Sequence, residues 1–547
     1  MHQVTRRNVL VAIGALALAA ACGSEDTGKK GGGAAAGKDG AMANYGVGTQ
    51  FKATKPLTFT MLHNIHPAYP VKNDWLFWSE LEKRTGVKLA LTLIPFADYD
   101  QKKAVIITAG DAPMIVPKMY PGQETPFVAS GALLPVSDYV DMLPNFKDKV
   151  AKWNIQGDLD TLRQEDGRYY LLPGVHEDVW LDYSLAIRTD VLEEIGMPAP
   201  TTWDELYTVL KAMKEKHPDN YPFSDRWNIP TPGGNLLNIL AQSYGTQGGW
   251  TFVNEHGAYW DGTAGKFVYG PAMDQYKQML QYLNKLVKEG LLDPESFTQK
   301  DEDATAKFTA GKSYVIGSNA QSLVNEYRPG LAKAVPDAKV TKIPVPLGPA
   351  GNVKVGTRLE NGIVINAKAK DSPNFVAMMQ FIDWLWYSDA GEVFAKWGVE
   401  GVTYAKDASG DFKLNPGVDF LGLNPSAPKH LQKDFGFSNG VFAYGGTTQL
   451  LNSTFSDEEK QFQNVMNGRQ TLPVRPPFPL SEAEREQASL WETPLADHVQ
   501  QNTLKFILGK RDFSEWDAFV KELEGKNLTS YMDLVNKAYQ RFKQQHG

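Results

Sequence analysis

Residues 183–215 read YSLAIRTDVLEEIGMPAPTTWDELYTVLKAMKE, and the order of signals in this stretch decides the fold class. Tyr183–Arg188 reads as a short strand. Pro198 and Pro200 mark a turn. Thr202 followed by Glu205 is a capping box: the threonine oxygen accepts an early helical N–H while the glutamate reaches back. The helix it opens sets Leu206, Val209, Leu210 and Met213 at i, i+3, i+4 and i+7, a single apolar face. A strand feeding an amphipathic helix is the repeating unit of an α/β sheet.

The same grammar recurs on both sides. Upstream, Leu57–Leu62 (LTFTML) is a strand. A helix is expected from about Asp74 to Arg84, with Asn73 as N-cap and Gly86 as stop, and Val87–Pro95 is a second strand. This spacing implies a βαβ unit in a largely parallel sheet. Ala97–Ala109 reads as helix and Pro113–Met119 as strand. Downstream, Asp274–Glu289 is a helix with Tyr276, Met279, Leu280, Leu283, Leu286 and Val287 inward and Gly290 as stop. Gly362–Ala367 is strand-like and precedes a helix over Phe375–Ser388, and the chain from Ser481 onward is mostly helical in pattern. Together these imply two α/β lobes between which the chain crosses more than once. The expected limits are 53–180 and 363–430 for lobe 1, and 181–362 and 431–547 for lobe 2.

The amino terminus carries export signals. Residues 1–21 join a basic start (Arg6, Arg7) to an apolar run, Val9–Ala21. As a helix this run spans ~20 Å, too short for a ~30 Å hydrocarbon core, so it reads as a signal peptide. Ala19, Ala20 and Ala21 precede Cys22, and Gly23 and Ser24 follow, which resembles the lipobox of bacterial lipoproteins. Leu18 stands one place before the usual leucine. The resemblance implies a lipid on Cys22 and anchoring to the membrane. Thr5–Leu10 (TRRNVL) resembles a twin-arginine export signal and equally suits an ordinary basic start. Residues 22–52 are rich in Gly, Ala and Lys and read as a flexible tether.

Composition narrows the function. A chain of 547 residues has room for two or three domains, and 42% hydrophobic with 22% charged residues excludes a largely disordered chain and a multi-span membrane protein. With 56 Lys and Arg against 63 Asp and Glu and no basic block, nucleic-acid binding is set aside. Cys22 is the only cysteine, so no intrachain disulfide and no thiolate zinc site can form.

Catalytic patterns fail one by one. Ala306–Ser313 (AKFTAGKS) has Ala where a phosphate loop needs its first Gly. His63 and His66 are a close pair without further ligands, so no metal is expected, and no cofactor motif stands out. Neither HExxH nor GxSxG occurs. A glycosidase needs two carboxylates set apart in space, and no local motif singles out a pair.

Asp166–Pro173 (DGRYYLLP) followed by the 183–215 stretch resembles the family-1 extracellular solute-binding proteins of bacterial ABC importers, in particular the large lipoprotein subgroup of the LipO type. Gly110–Val116 (GDAPMIV), Ala310–Gly317 (AGKSYVIG), Trp397–Lys406 (WGVEGVTYAK), Phe506–Leu523 and Tyr531–Phe542 fit the same pattern. Met114 departs from it, standing where the family commonly has Asp. The resemblance implies a periplasmic-binding-protein type II-like fold, a cleft between two lobes, and a carbohydrate, notably an oligosaccharide. It further implies delivery to an ABC permease and action as a monomer without catalysis.

In open α/β sheets ligands sit beyond the carboxyl ends of strands. The ligand candidates are therefore His63, Asn64, His66 and Tyr69 on the first loop, then Tyr120, Trp180 and Tyr183. Arg226, Trp227, Trp250 and Trp260 follow in irregular or Gly-rich stretches, and Arg358 and Glu360 precede the GIVINA strand. Trp397, Glu400 and Tyr404 are added because the resemblance places their run near the cleft. Trp75, Trp78, Trp203, Trp384, Trp386 and Trp516 are expected to pack within the lobes. Two other functions remain in view: a secreted polysaccharide-degrading enzyme, and a binder of a peptide or other polar metabolite.

Overall fold

The computed structural model describes residues 37–228, 233–408 and 410–546. Cys22, the signal peptide and the arginine pair lie outside the described residues.

Lobe 1 is built on a five-stranded sheet in the order Val87–Pro95, Leu57–Ile65, Ile115–Met119, Leu359–Ile365, Leu171–Val175. The first two strands run parallel in continuous register and are joined by the helix Leu76–Thr85, so the expected βαβ unit is present. That helix stops at Gly86, whose φ of 70° puts it in the left-handed region that glycine enters without steric cost. Its N-cap is Trp75, not Asn73. Leu359–Ile365 alone runs against its two neighbours, having returned from the other lobe. The helix Phe375–Tyr387 is buried on nearly every side and carries Trp384 and Trp386 into the core.

Lobe 2 holds a three-stranded sheet, Val315–Ser318, Ser184–Arg188, Val340–Ile343, in which both pairings are antiparallel. Thr202 caps the helix Trp203–Lys216 as expected, its hydroxyl accepting the Glu205 N–H at 3.1 Å. The Glu205 carboxylate returns one residue earlier than a capping box requires, accepting the N–H and the hydroxyl of Thr201, each at 2.7 Å. Trp203 and Trp516 pack within this lobe. The helices Glu482–Ile507, Trp516–Glu524 and Leu528–His546 complete it, and no helix among the described residues is long and apolar enough to cross a membrane.

Two expected boundaries shift. Residues 37–52 belong to the folded body instead of a tether. Phe51 lies in the core of lobe 1, the Tyr45 hydroxyl donates to Asp383 Oδ2 at 2.9 Å, and the Gln380 amide both accepts from and donates to the Met42 backbone. Lobe 1 also claims residues 359–362 and much of 431–450. The first are part of its sheet, and Phe437, Val441, Phe442 and Tyr444 fill its core, Phe442 stacking on Phe77 at 4.6 Å. The chain therefore crosses between lobes near residues 176–184, 345–358 and 450–462. The first two crossings touch each other, and Thr471 packs against the same point: a Cβ on Gly356 would lie 2.9 Å from Val179 Cγ2 and 2.3 Å from Thr471 Cγ2.

Candidate binding cleft

A continuous cleft of about 1920 Å3 separates the lobes, lined by both of them and by the crossings. Lobe 1 supplies its wall from the end of the strand Ile115–Met119. Lys118 takes φ 56°, an unusual conformation for a residue with a side chain, and its N–H donates to the Tyr444 hydroxyl at 3.2 Å. The reversal at this residue places Tyr120 in the cleft with 46% of its surface exposed. The Lys118 ammonium sits 5.8 Å over the Tyr444 ring, and burial lowers its pKa. Tyr69 reaches the same wall, with His66 stacked flat on it at 4.4 Å.

Opposite, lobe 2 presents Tyr183, 39% exposed, at the start of the strand Ser184–Arg188. Its ring meets Trp227 at 5.2 Å and Trp250 at 5.0 Å, both edge to face, so the two indoles buttress it from behind. Burial, then the charge of Asp182, then Tyr120 push the Tyr183 phenol upward, which sets the two tyrosines within electrostatic reach across the cleft.

The floor is polar. Glu360 Oε2 lies 3.0 Å from His176 Nε2 and accepts the Gly445 N–H at 3.1 Å. Burial alone would raise its pKa; the His176 hydrogen bond and pull, Lys396 and the Gly445 N–H overcome that and hold it at about 2. Trp180 lies 5.5 Å from the His176 ring, and its indole N–H has no partner among the described residues. Glu124 accepts the Gly122 N–H at 2.8 Å through Oε2, while Oε1 is buried without a partner. Burial lifts its pKa to about 7 against the opposing pull of backbone N–H groups and Arg485.

Of the ligand candidates, Tyr69, Tyr120, Trp180, Tyr183, Trp260 and Glu360 line the cleft. The others do not. His63 is fully buried within a strand between Trp78 and Phe442, and Asn64 follows it in that strand. His66, Trp227 and Trp250 support tyrosines that do line it. Arg226 is held by Glu326 at 2.6 Å and by the Tyr327 hydroxyl at 3.1 Å, and lies 4.5 Å over Trp227. Arg358 ties Asp158 and the carbonyls of Trp153 and Asn154 together inside lobe 1.

The Trp397 run is a correction to its expected place. Trp397 ends the helix Asp389–Trp397 facing inward, is 1% exposed, stacks on Phe412 at 5.4 Å and donates its indole N–H to Ser453 at 3.0 Å. Tyr404 joins that small cluster, and Glu400 is exposed on the turn before it. Sequence reasoning also missed Lys118, Lys396 and the segment Leu472–Leu480 (LPVRPPFPL), all of which line the cleft. Four prolines in nine residues were the available signal for a rigid exposed strap.

A family model for bacterial extracellular solute-binding proteins matches residues 69–391. The chain belongs to this family. Among related solute-binding proteins, the fructooligosaccharide ABC transporter substrate-binding protein FusA of Streptococcus pneumoniae serotype 4 is 24% identical, with 98% of each chain covered. The polygalacturonan/rhamnogalacturonan-binding protein YtcQ of Bacillus subtilis is 22% identical over 85% of this chain and 87% of its own. The lipoprotein LipO of Bacillus subtilis is 26% identical over 44% of this chain and 47% of its own. Among solved structures, the alginate-binding protein AlgQ2 superposes with a TM-score of 0.68 at 21% identity, covering 90% of this chain and 99% of that one. These solved structures share the fold: two lobes of the type II periplasmic-binding class.

Proposed function

We propose that this solute-binding protein captures a neutral oligosaccharide between its lobes and delivers it to an ABC importer, without catalysis. The observation that carries the reading is the cleft itself, with an exposed tyrosine from each lobe and a floor of carboxylate, imidazole and amide groups. Sugars offer apolar C–H faces to rings and hydroxyls to such polar groups, and closure over them excludes water. Size supports a chain of several units: about 1920 Å3 is roughly twice the upper range for sites of drug-sized ligands. Charge supports a neutral chain, since acidic side chains outnumber Lys118, Arg163, Lys396, Arg475 and Arg485 along the lining. The name of FusA, a fructooligosaccharide-binding relative, agrees with this reading. Tyr69, Tyr120, Trp180, Tyr183, Lys118 and Glu360 are the proposed contacts of the central cleft.

Cys22 is the proposed lipid attachment point, anchoring a monomeric receptor outside the cytoplasm after cleavage of residues 1–21. Arg6 and Arg7 are the proposed export determinants for the twin-arginine route. Cys22→Ala is expected to move the protein from the membrane to the soluble fraction, and unchanged membrane association refutes the anchor. For the main reading, a thermal-shift screen of neutral and acidic oligosaccharides is expected to single out neutral chains. A ligand present at 100 times its Kd raises stability by about 2.7 kcal/mol. Small-angle scattering should then show a smaller radius of gyration. Release of reducing ends from a polysaccharide would replace the receptor with an enzyme.

A further inference from the structure

The cleft extends well past the paired tyrosines. On lobe 2 it continues between the hairpin Ala258–Asp261/Lys266–Tyr269 and the Leu472–Leu480 strap, still as one cavity. We propose that this arm is a second sugar subsite, which holds further units of the same neutral chain that the central cleft grips. The inference rests on the oligosaccharide reading and adds where a longer chain goes.

Four features of the arm suit it to a saccharide. Trp260 lines it, and its indole is held by Phe267 at 5.1 Å and by Tyr539 edge to face at 4.9 Å, so the ring is fixed before any ligand arrives. Tyr259 lines it beside Trp260 on the neighbouring hairpin position. Arg475 on the strap lies 3.4 Å from Glu255 through Nε and 5.1 Å over Phe478. Held by both contacts, the guanidinium is fixed in the wall of the arm before any ligand arrives. Finally, the strap's prolines fix the backbone at Arg475 and Phe478, so little entropy is lost when a ligand docks.

The chemistry of the arm also selects the occupant. Glu255, Asp261, Glu482, Glu486 and Glu492 line it and outnumber its arginines. Carboxylates accept from sugar hydroxyls and repel uronates, so a polyuronate is disfavoured where a neutral chain is not.

The test is calorimetric titration with fructo-, xylo- and malto-oligosaccharide series from disaccharide to octasaccharide. Wild type, Trp260→Ala, Tyr259→Ala and Tyr183→Ala are compared, with a melting curve for each. For the series that binds, wild-type affinity is expected to rise with length until the arm is filled. A ring face of ~60 Å2 is worth roughly tenfold in affinity. Trp260→Ala and Tyr259→Ala should each lose about that factor for long chains and nothing for the shortest binder, whereas Tyr183→Ala should weaken all lengths. Trp260 also packs on Phe267 and Tyr539, so Tyr259→Ala carries the test if Trp260→Ala melts early. Long chains that bind both arm variants like wild type overturn the subsite and leave the receptor reading standing. If no series binds wild type, the oligosaccharide reading falls and the subsite with it.

Discussion

Tyr120 and Tyr183 face the cleft from opposite lobes, and removing them tests the clamp directly. Aromatic side chains carry about 150–250 Å2 of buriable surface. With 46% of Tyr120 and 39% of Tyr183 exposed, each keeps roughly 80–90 Å2 open to the cleft. A sugar face seated on either ring removes most of that area from water, worth about 2 kcal/mol at about 25 cal/mol per Å2. Each Tyr→Ala change should therefore weaken binding about 30-fold. The double variant should lose about 1000-fold if the rings grip separate faces of the ligand and act independently. The cost to stability is different. Tyr120 lies outside the hydrophobic clusters, so its loss should cost no more than about 0.5 kcal/mol. Tyr183 has edge contacts with Trp227 and Trp250, and its loss should cost about 1 kcal/mol. Calorimetric titration beside thermal melting reads both quantities. If Tyr120→Ala and Tyr183→Ala bind the oligosaccharide with wild-type affinity, the exposed rings are not the clamp and the cleft binds by another surface.

Trp397→Ala should do the reverse, lowering stability by about 3–5 kcal/mol through the cavity beside Phe412 while leaving affinity within a factor of about two; a large affinity loss at an unchanged melting temperature would return Trp397 to the cleft. Burial holds the His63 imidazole down at about 4, against an ordinary value near 6.5. A depressed folded value means that this contribution is intact above about pH 6.5 and is lost as pH falls toward about 4, by about 3 kcal/mol in all. Denaturant titrations of wild type and His63→Leu should show the variant losing less stability over that window, with Glu124 and Asp225, both of which burial lifts to about 7, cancelling in the comparison; parallel pH profiles would refute the assignment. Gly356→Val should push its crossing away from the one at Val179 and from Thr471, cost about 1–3 kcal/mol, and shrink the ligand-induced change in small-angle scattering. Wild-type closure in that variant would show that the crossings do not need the close approach.

The local grammar of the chain determined its elements. Alternation over Val87–Pro95 and Leu57–Leu62, the Gly86 stop between them, and the apolar face of the helix after Thr202 each depend on neighbours a few residues away. Every one of them appears in the structure. The same locality explains Trp203, Trp384 and Trp516, whose helical settings implied packing and whose rings are buried. The tertiary structure alone decided which rings face the cleft. Trp397 and Tyr183 both stand at the edge of a regular element. One turns onto Phe412 and the other into open space, because Tyr404, Phe412 and Leu450 pack around the first while the second stands where the two lobes face each other. The same holds for the tether: residues 37–52 look too polar and glycine-rich to fold, yet Tyr45 and Met42 find Asp383 and Gln380, each 338 positions away. The floor of the cleft joins His176 to Glu360 across 184 positions. Periodicity and capping act within one turn or one strand, so a sequence displays them. Contacts across hundreds of residues depend on how the lobes pack and where the chain crosses, and no local pattern carries that information.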